Sequence, residues 1–146
     1  MVHKPECLLR LREAVGPVVG CNLDPSHLFH QGMDITAVIR EVGHCIYHAH
    51  AKDSLPDPNV VRVNGLIDAK DFQEIKRRSW IFRTVGYGHS DKFWCDYVSA
   101  LRLVGYDDVI SIEQRGPAHR NRRGIRTGRE VVEKGARRPA PARVVV

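Results

Sequence analysis

Short apolar runs alternate with segments of helical period along residues 5–113, and that alternation constrains the fold more than any other feature. Leu8, Leu11 and Val15, widened by Leu9, recur at helical spacing over 5–15, and Gly16-Pro17 stops the helix. Residues 18–23 read as a buried strand ending at Asp24-Pro25-Ser26-His27. A second helix is expected over 34–42, capped by Asp34, with Ile35, Val38, Ile39 and Val42 facing the core. Cys45–His50 is the next strand. Residues 51–79 are rich in polar and turn-forming residues and read as a long functional loop. A short strand over 80–85, a helix over 91–103 and a strand over 109–113 complete the order. Strands separated by amphipathic helices imply parallel strands covered by helices. An open sheet and a piece of a closed barrel both satisfy the pattern.

Charge divides the chain at residue 113. Residues 1–113 hold 13 lysines and arginines against 15 acids, a net of −2, whereas residues 114–146 hold 10 against 2, a net of +8. The overall charge of +6 therefore belongs to the tail, which has no aromatic side chain to stack on a base. Nucleic acid is accordingly disfavoured as a partner. Hydrophobic residues make up 42% of the chain, enough for a core. No run is long and apolar enough for a membrane span, and residues 1–6 lead into no signal-type apolar segment, so the cytoplasm is the expected location. The four cysteines, Cys7, Cys21, Cys45 and Cys95, form no CxxC pair and read as ordinary thiols.

Each main strand stops at a residue able to ligate a metal: Asp24, His50 and Glu113. The C-terminal ends of parallel strands share one rim, so residues far apart in sequence can converge there. Two carboxylates and an imidazole suit a divalent ion such as Mn2+, Co2+, Zn2+ or Mg2+. Such an ion binds vicinal sugar oxygens and polarises a carbonyl. Each residue also has a plainer role open to it: Asp24 as a turn former, His50 as a satisfied histidine, Glu113 as a surface acid. His27 is a candidate for contact with a substrate oxygen or a metal, or is a solvent-facing loop histidine, and His89 is a candidate for the site. Lys52 and Asp53 either complete a polar rim or pair with each other. His48 is read as structural, on the face of the strand opposite His50.

The segments Asn22-Leu23-Asp24-Pro25-Ser26-His27-Leu28, His48-Ala49-His50-Ala51-Lys52-Asp53, Trp80 to His89, and Gly105-Tyr106 through Ser111-Ile112-Glu113 resemble the sugar phosphate isomerases/epimerases of the xylose-isomerase-like (AP endonuclease family 2) TIM barrel superfamily. The resemblance implies an α/β fold, a partial (β/α)8 TIM barrel comprising about the last three barrel strands with their helices over residues 1–113. A complete barrel takes about 250 residues. It further implies a metal held by Asp24, His50 and Glu113, with Glu113 and His27 as catalytic residues and His27, Lys52 and His89 binding substrate. A fourth ligand, a glutamate that also forms one half of an epimerase acid/base pair, is expected on a strand before residue 1. The expected function is a metal-dependent sugar isomerase or epimerase, acting on a sugar or sugar derivative and possessing only part of its machinery here. A non-catalytic barrel remnant or assembly component, and a metal-dependent AP endonuclease-like enzyme, are the alternatives. The exposed sheet edge predicts self-association or a complementing N-terminal barrel half.

Relatives often continue the last strand as Ile-Glu-His-Glu-Asp, where this chain has Glu113-Gln114-Arg115-Gly116-Pro117. One base removed from a suitable coding string converts one text into the other. Residues 114–146 are therefore set apart as a basic atypical tail, disordered or frameshift-derived, with a genuine extension bearing a helix near 129–135 as the alternative.

Overall fold

The computed structural model describes residues 2–113, 122–136 and 144–145. Helix α1 (Pro5–Val15) begins with proline, which fits the first helical position because that N–H needs no helical partner. It stops at Gly16, whose φ of 94° carries the chain away. Leu8 and Leu9 pack on the core, but Leu11 and Val15 are exposed, so the buried stripe is narrower than the apolar spacing predicts. Strand β1 (Cys21–Leu23) and a single turn of helix, α2 (Ser26–Phe29), follow. Helix α3 (Ile35–Val42) is capped as expected: Asp34 Oδ1 accepts from the Thr36 and Ala37 amides, and Ile35, Val38, Ile39 and Val42 are all buried. Strand β2 (Ile46–Ala51) comes next.

The stretch read as a loop contains structure of its own. Strand β3 (Asp53–Pro56) leads into helix α4 (Pro58–Asn64), capped by Asp57. Strand β4 (Trp80–Arg83) returns antiparallel to β3, in register from Asp53 opposite Arg83 to Pro56 opposite Trp80. The segment between them is pinned by Asp68, whose fully buried carboxylate accepts from the Ser79 amide at 2.5 Å and the Lys70 amide at 2.9 Å. Arg78 lies buried against the rings of Phe72 and Trp80. Helix α5 (Asp91–Leu103) follows, capped by Ser90 and burying Trp94, Tyr97, Val98, Ala100 and Leu101, and strand β5 (Ile110–Ile112) comes after it.

Within the stretch set apart as a tail, helix α6 (Arg122–Ala136) packs against α5 and buries Val131 and Val132 in the same core. A helix therefore stands across residues 129–135, and strand β6 (Val144–Val145) lies beside β5. Residues 114–121 and 137–143, with their part of the tail expectation, lie outside the described residues.

The main sheet has the order β1-β2-β5-β6, every pair parallel. The protein is thus a mixed α/β fold in which helices cover parallel strands. Its two faces differ in chemistry. Leu23, Ala49 and Ile110 lie in register, as do Ala51 and Ile112, and all five are buried in one core with α3, α5 and α6. The residues alternating with them are Asn22 and Asp24, His48 and His50, Ser111 and Glu113, so the opposite face is polar. Parallel sheets are ordinarily apolar on both faces; here one face is polar. The outer edge of β1 has no strand beside it among the described residues. A groove of about 370 Å³ flanks it, lined by Leu8, Leu28, Val38 and Val42, with Asp24 and His27 at its end.

Candidate functional site

Asp24 stands one residue past β1, where Pro25 and α2 turn the chain. Its Oδ1 accepts from the Ser26 amide at 2.9 Å and the Ser26 hydroxyl at 2.7 Å, which fixes the carboxylate. Its Oδ2 points to the site, 3.4 Å from Lys52 Nζ and 3.4 Å from His27 Nε2. One oxygen of Asp24 therefore makes the turn with Ser26, and the other faces Lys52 and His27.

Glu113 follows β5, and its amide donates to Ala51 O at 3.1 Å, extending the pairing with β2 by one residue. That bond brings its side chain to Lys52: Oε1 is 3.1 Å from Nζ. Lys52 is the kink between β2 and β3, buried except for 3% of its surface, and its Nζ also lies 4.4 Å from the centre of the Phe82 ring. Asp24 and Glu113, from the two ends of the polar face, thus converge on one ammonium. Lys52 does not pair with Asp53, and neither of the two roles suggested for that neighbouring pair describes both residues.

His50 ends the polar row of β2. Burial holds its imidazole below the ordinary histidine value, with Asp24 and Glu113 pulling the other way and His48 and Lys52 reinforcing the shift. That shift favours the neutral ring, the form that ligates metals. Its Nδ1 is buried and has no hydrogen-bond partner among the described residues. Tyr97, itself buried, donates its hydroxyl to His50 O at 2.7 Å and fixes the backbone there. The expectation that His48 points away from His50 fails. Residues two apart on a strand share a face, and the two rings meet edge to face with centroids 4.9 Å apart. His48 Nε2 lies 2.9 Å from Ser111 Oγ, forming a polar layer beneath the rim.

Asp53 builds a second constellation. Its side chain is fully buried, and Oδ2 accepts from the Gly86, Gly88 and His89 amides at 3.1, 2.9 and 3.0 Å. Oδ1 lies 2.7 Å from His89 Nδ1. With Nδ1–H donating to the carboxylate, Nε2 is the ring nitrogen left for other contacts. Phe29 stacks on the His89 ring at 3.8 Å. His89 is thus held by Asp53, apart from the Asp24–Lys52–Glu113 group.

The donor chemistry of Asp24, His50 and Glu113 fits a divalent ion, and the orphaned His50 Nδ1 is the atom that such an ion would satisfy. Lys52 nonetheless stands between the carboxylates, and no three His, Cys, Asp or Glu among the described residues form a ready metal-holding group. Sequence reasoning missed Ser26, which fixes Asp24, and Phe82, whose ring meets Lys52 and the edge of His27 at 5.7 Å. Strand alternation would have signalled His48 and Ser111.

The family described as xylose isomerase-like TIM barrel matches residues 1–135. The matched span runs past Glu113 and takes in most of α6. A protein of Bacillus subtilis (strain 168), "Uncharacterized protein YfiH", is 38% identical over 133 residues, which cover 91% of this chain and 42% of the relative. The chain therefore spans about two fifths of the length of that curated relative. No helix among the described residues is long and apolar enough to cross a membrane.

Proposed function

This chain belongs to the xylose isomerase-like TIM barrel family, and on that footing we propose that it carries the last three strands of such a barrel and the site of a metal-dependent sugar isomerase or epimerase. The observation that supports this reading most is the convergence of Asp24 and Glu113 on Lys52 at the rim of a polar sheet face, with His50 between them in strand order. Asp24, His50 and Glu113 would hold the ion, and the chemistry it supplies is polarisation of a sugar carbonyl.

This chain's own residues have distinct tasks in that chemistry. Glu113, partly open to solvent, takes or returns a proton at the carbon beside the carbonyl. His27, the more exposed partner of Asp24, orients a substrate hydroxyl through its ring. Lys52 supplies a cation for a substrate oxygen. His89, oriented by Asp53, offers Nε2 to a more distant hydroxyl. Inversion at a carbon needs an acid/base group on each side. The groove beside β1, and a strand edge with no neighbour among the described residues, suit a complementing N-terminal barrel half that brings the second group.

The test is deuterium exchange from heavy water into the carbon next to the carbonyl, followed by NMR over a panel of aldoses and ketoses with Mn2+, Co2+ or Mg2+. It is run on the chain alone and on the chain mixed with the remaining part of the Bacillus relative. Exchange that vanishes in Glu113→Gln supports the reading. Metal binding without exchange on any sugar, in both arms, supports a non-catalytic barrel component instead. Lys52 already sitting between the carboxylates is the observation that keeps this second reading in view.

A further inference from the structure

The Lys52 ammonium meets Asp24 Oδ2 at 3.4 Å, Glu113 Oε1 at 3.1 Å and the Phe82 ring at 4.4 Å, two negative groups and a π-rich one. It occupies the gap that a cation shared by the two carboxylates would take. Simple charge counting shows what this implies. One divalent ion neutralises two carboxylates. Lys52 alone leaves the trio at −1, and the ion and the ammonium together bring it to +1. Lys52 and Asp24 are sheltered, with side chains 4% and 14% exposed, and Glu113 is 32% exposed, so repulsion between two cations a few ångströms apart is only partly screened. The two cations therefore cannot both hold the carboxylates at full strength. Lysine's four-carbon stem is flexible enough to release one partner without moving the backbone.

We propose that Lys52 is a tethered competitor of the divalent ion: it bridges Asp24 and Glu113 in the metal-free protein and gives up at least one of them when an ion binds. Released towards the open polar face, it becomes the cation that meets a substrate oxygen. Metal loading and the availability of Lys52 are then two readings of one equilibrium. This inference rests on the assignment of Asp24 and Glu113 as metal ligands.

The experiment is a calorimetric Mn2+ titration of the wild-type chain, Lys52→Met and Lys52→Gln, with the double variant Asp24→Asn/Glu113→Gln as the site control. Methionine keeps the apolar stem and its contact with Phe82 but removes the charge. The expected result is Mn2+ binding at least about tenfold tighter in Lys52→Met than in wild type, and binding lost in the double variant. Lys52→Met should also melt lower than wild type without Mn2+, because the sheltered Asp24 and the half-buried Glu113 lose their counter-ion, and regain stability when Mn2+ is added. Equal or weaker affinity in both Lys52 variants, with wild type still binding, overturns the competition and leaves the metal assignment standing. Binding by none of the proteins, or binding that survives in the double variant, overturns the metal assignment and the competition with it. If both Lys52 variants fail to fold, the wild-type protein decides: acetylation of Lys52 should accelerate on Mn2+ addition, and an unchanged or slower rate refutes the proposal.

Discussion

Replacing Asp53 should separate the stability of the 84–89 turn from the orientation of His89. The carboxylate is fully buried, takes three backbone amides on one oxygen and faces His89 Nδ1 with the other. In Asp53→Ala the amides of Gly86, Gly88 and His89 lose their acceptor together. An orphaned donor costs about 1–3 kcal/mol when buried; these three are partly buried, so the lower end applies and the sum is about 3 kcal/mol. The space vacated by the carboxylate adds to that, giving about 3–5 kcal/mol. Against a typical domain stability of about 5–15 kcal/mol, this is a severe loss. Asp53→Asn behaves differently, because its carbonyl oxygen can still accept from all three amides. It forfeits only the charge assistance, about 1–2 kcal/mol. Its amide nitrogen then faces His89 Nδ1 as a donor, so the ring must accept there and carry its hydrogen on Nε2 instead. Urea denaturation measures the first quantity and imidazole 15N NMR the second. A loss below about 1 kcal/mol in the alanine variant would show that the turn stands without this carboxylate. His89 retaining Nδ1–H in the asparagine variant would refute the assigned orientation.

Three further outcomes follow from the same coordinates. Gly88→Ala should lower the melting temperature and weaken the Asp53–His89 pairing, since a Cβ there would lie 2.5 Å from Asp53 Oδ1 and 2.7 Å from Ser54 O; an unchanged melt would contradict the close approach. The Ser79 amide, chiefly, holds the Asp68 carboxyl well below its ordinary 3.8, so its contribution to stability is complete above that value and lost as pH falls through the depressed folded one. The stability gap between wild type and Asp68→Asn, measured by urea denaturation, should therefore narrow as pH falls below about 4, and a widening gap would reverse the sign of the argument. Val132→Asp, which places a charge at a fully buried position of α6, should destabilise the protein by more than about 3 kcal/mol; a neutral result in calorimetry would mean that α6 lies outside the cooperative fold.

Much of the scaffold was legible in the sequence because local signals agree with the tertiary result. Asp34 sits one residue before a helical run of Ile35, Val38, Ile39 and Val42, and cap and stripe both appear as spacing requires. The alternation Asn-Leu-Asp, His-Ala-His-Ala and Ile-Ser-Ile-Glu encodes an apolar and a polar face, and three candidate ligands fall at the polar strand ends. Misplacing His48 was an error of period, not a lack of signal. The antiparallel pair β3–β4 was not legible, because its partners are separated by α4 and the Asp68-pinned segment, and no local periodicity reports such a pairing. Asp57-Pro58 does announce α4, as a cap followed by proline at the first helical position, but it falls within the polar stretch that reads as a long loop. The sequence leaves Lys52 open between a polar rim and a pairing with Asp53, and only three-dimensional distances show it between Asp24 and Glu113.

Strand β6 changes the terms on which any outside strand could join this sheet. Residues 144–145 hold the outer edge of β5, opposite Ile110 and Ser111, while the outer edge of β1 has no strand beside it among the described residues. If the proposed complementing polypeptide exists, it would add at β1 directly but would have to displace β6 to add at β5. With only two residues in register, β6 is a short competitor, and the incoming strand could take the edge by branch migration, much as one nucleic-acid strand supplants another from a toehold. Assembly would then be ordered, with β1 engaged first and β5 second.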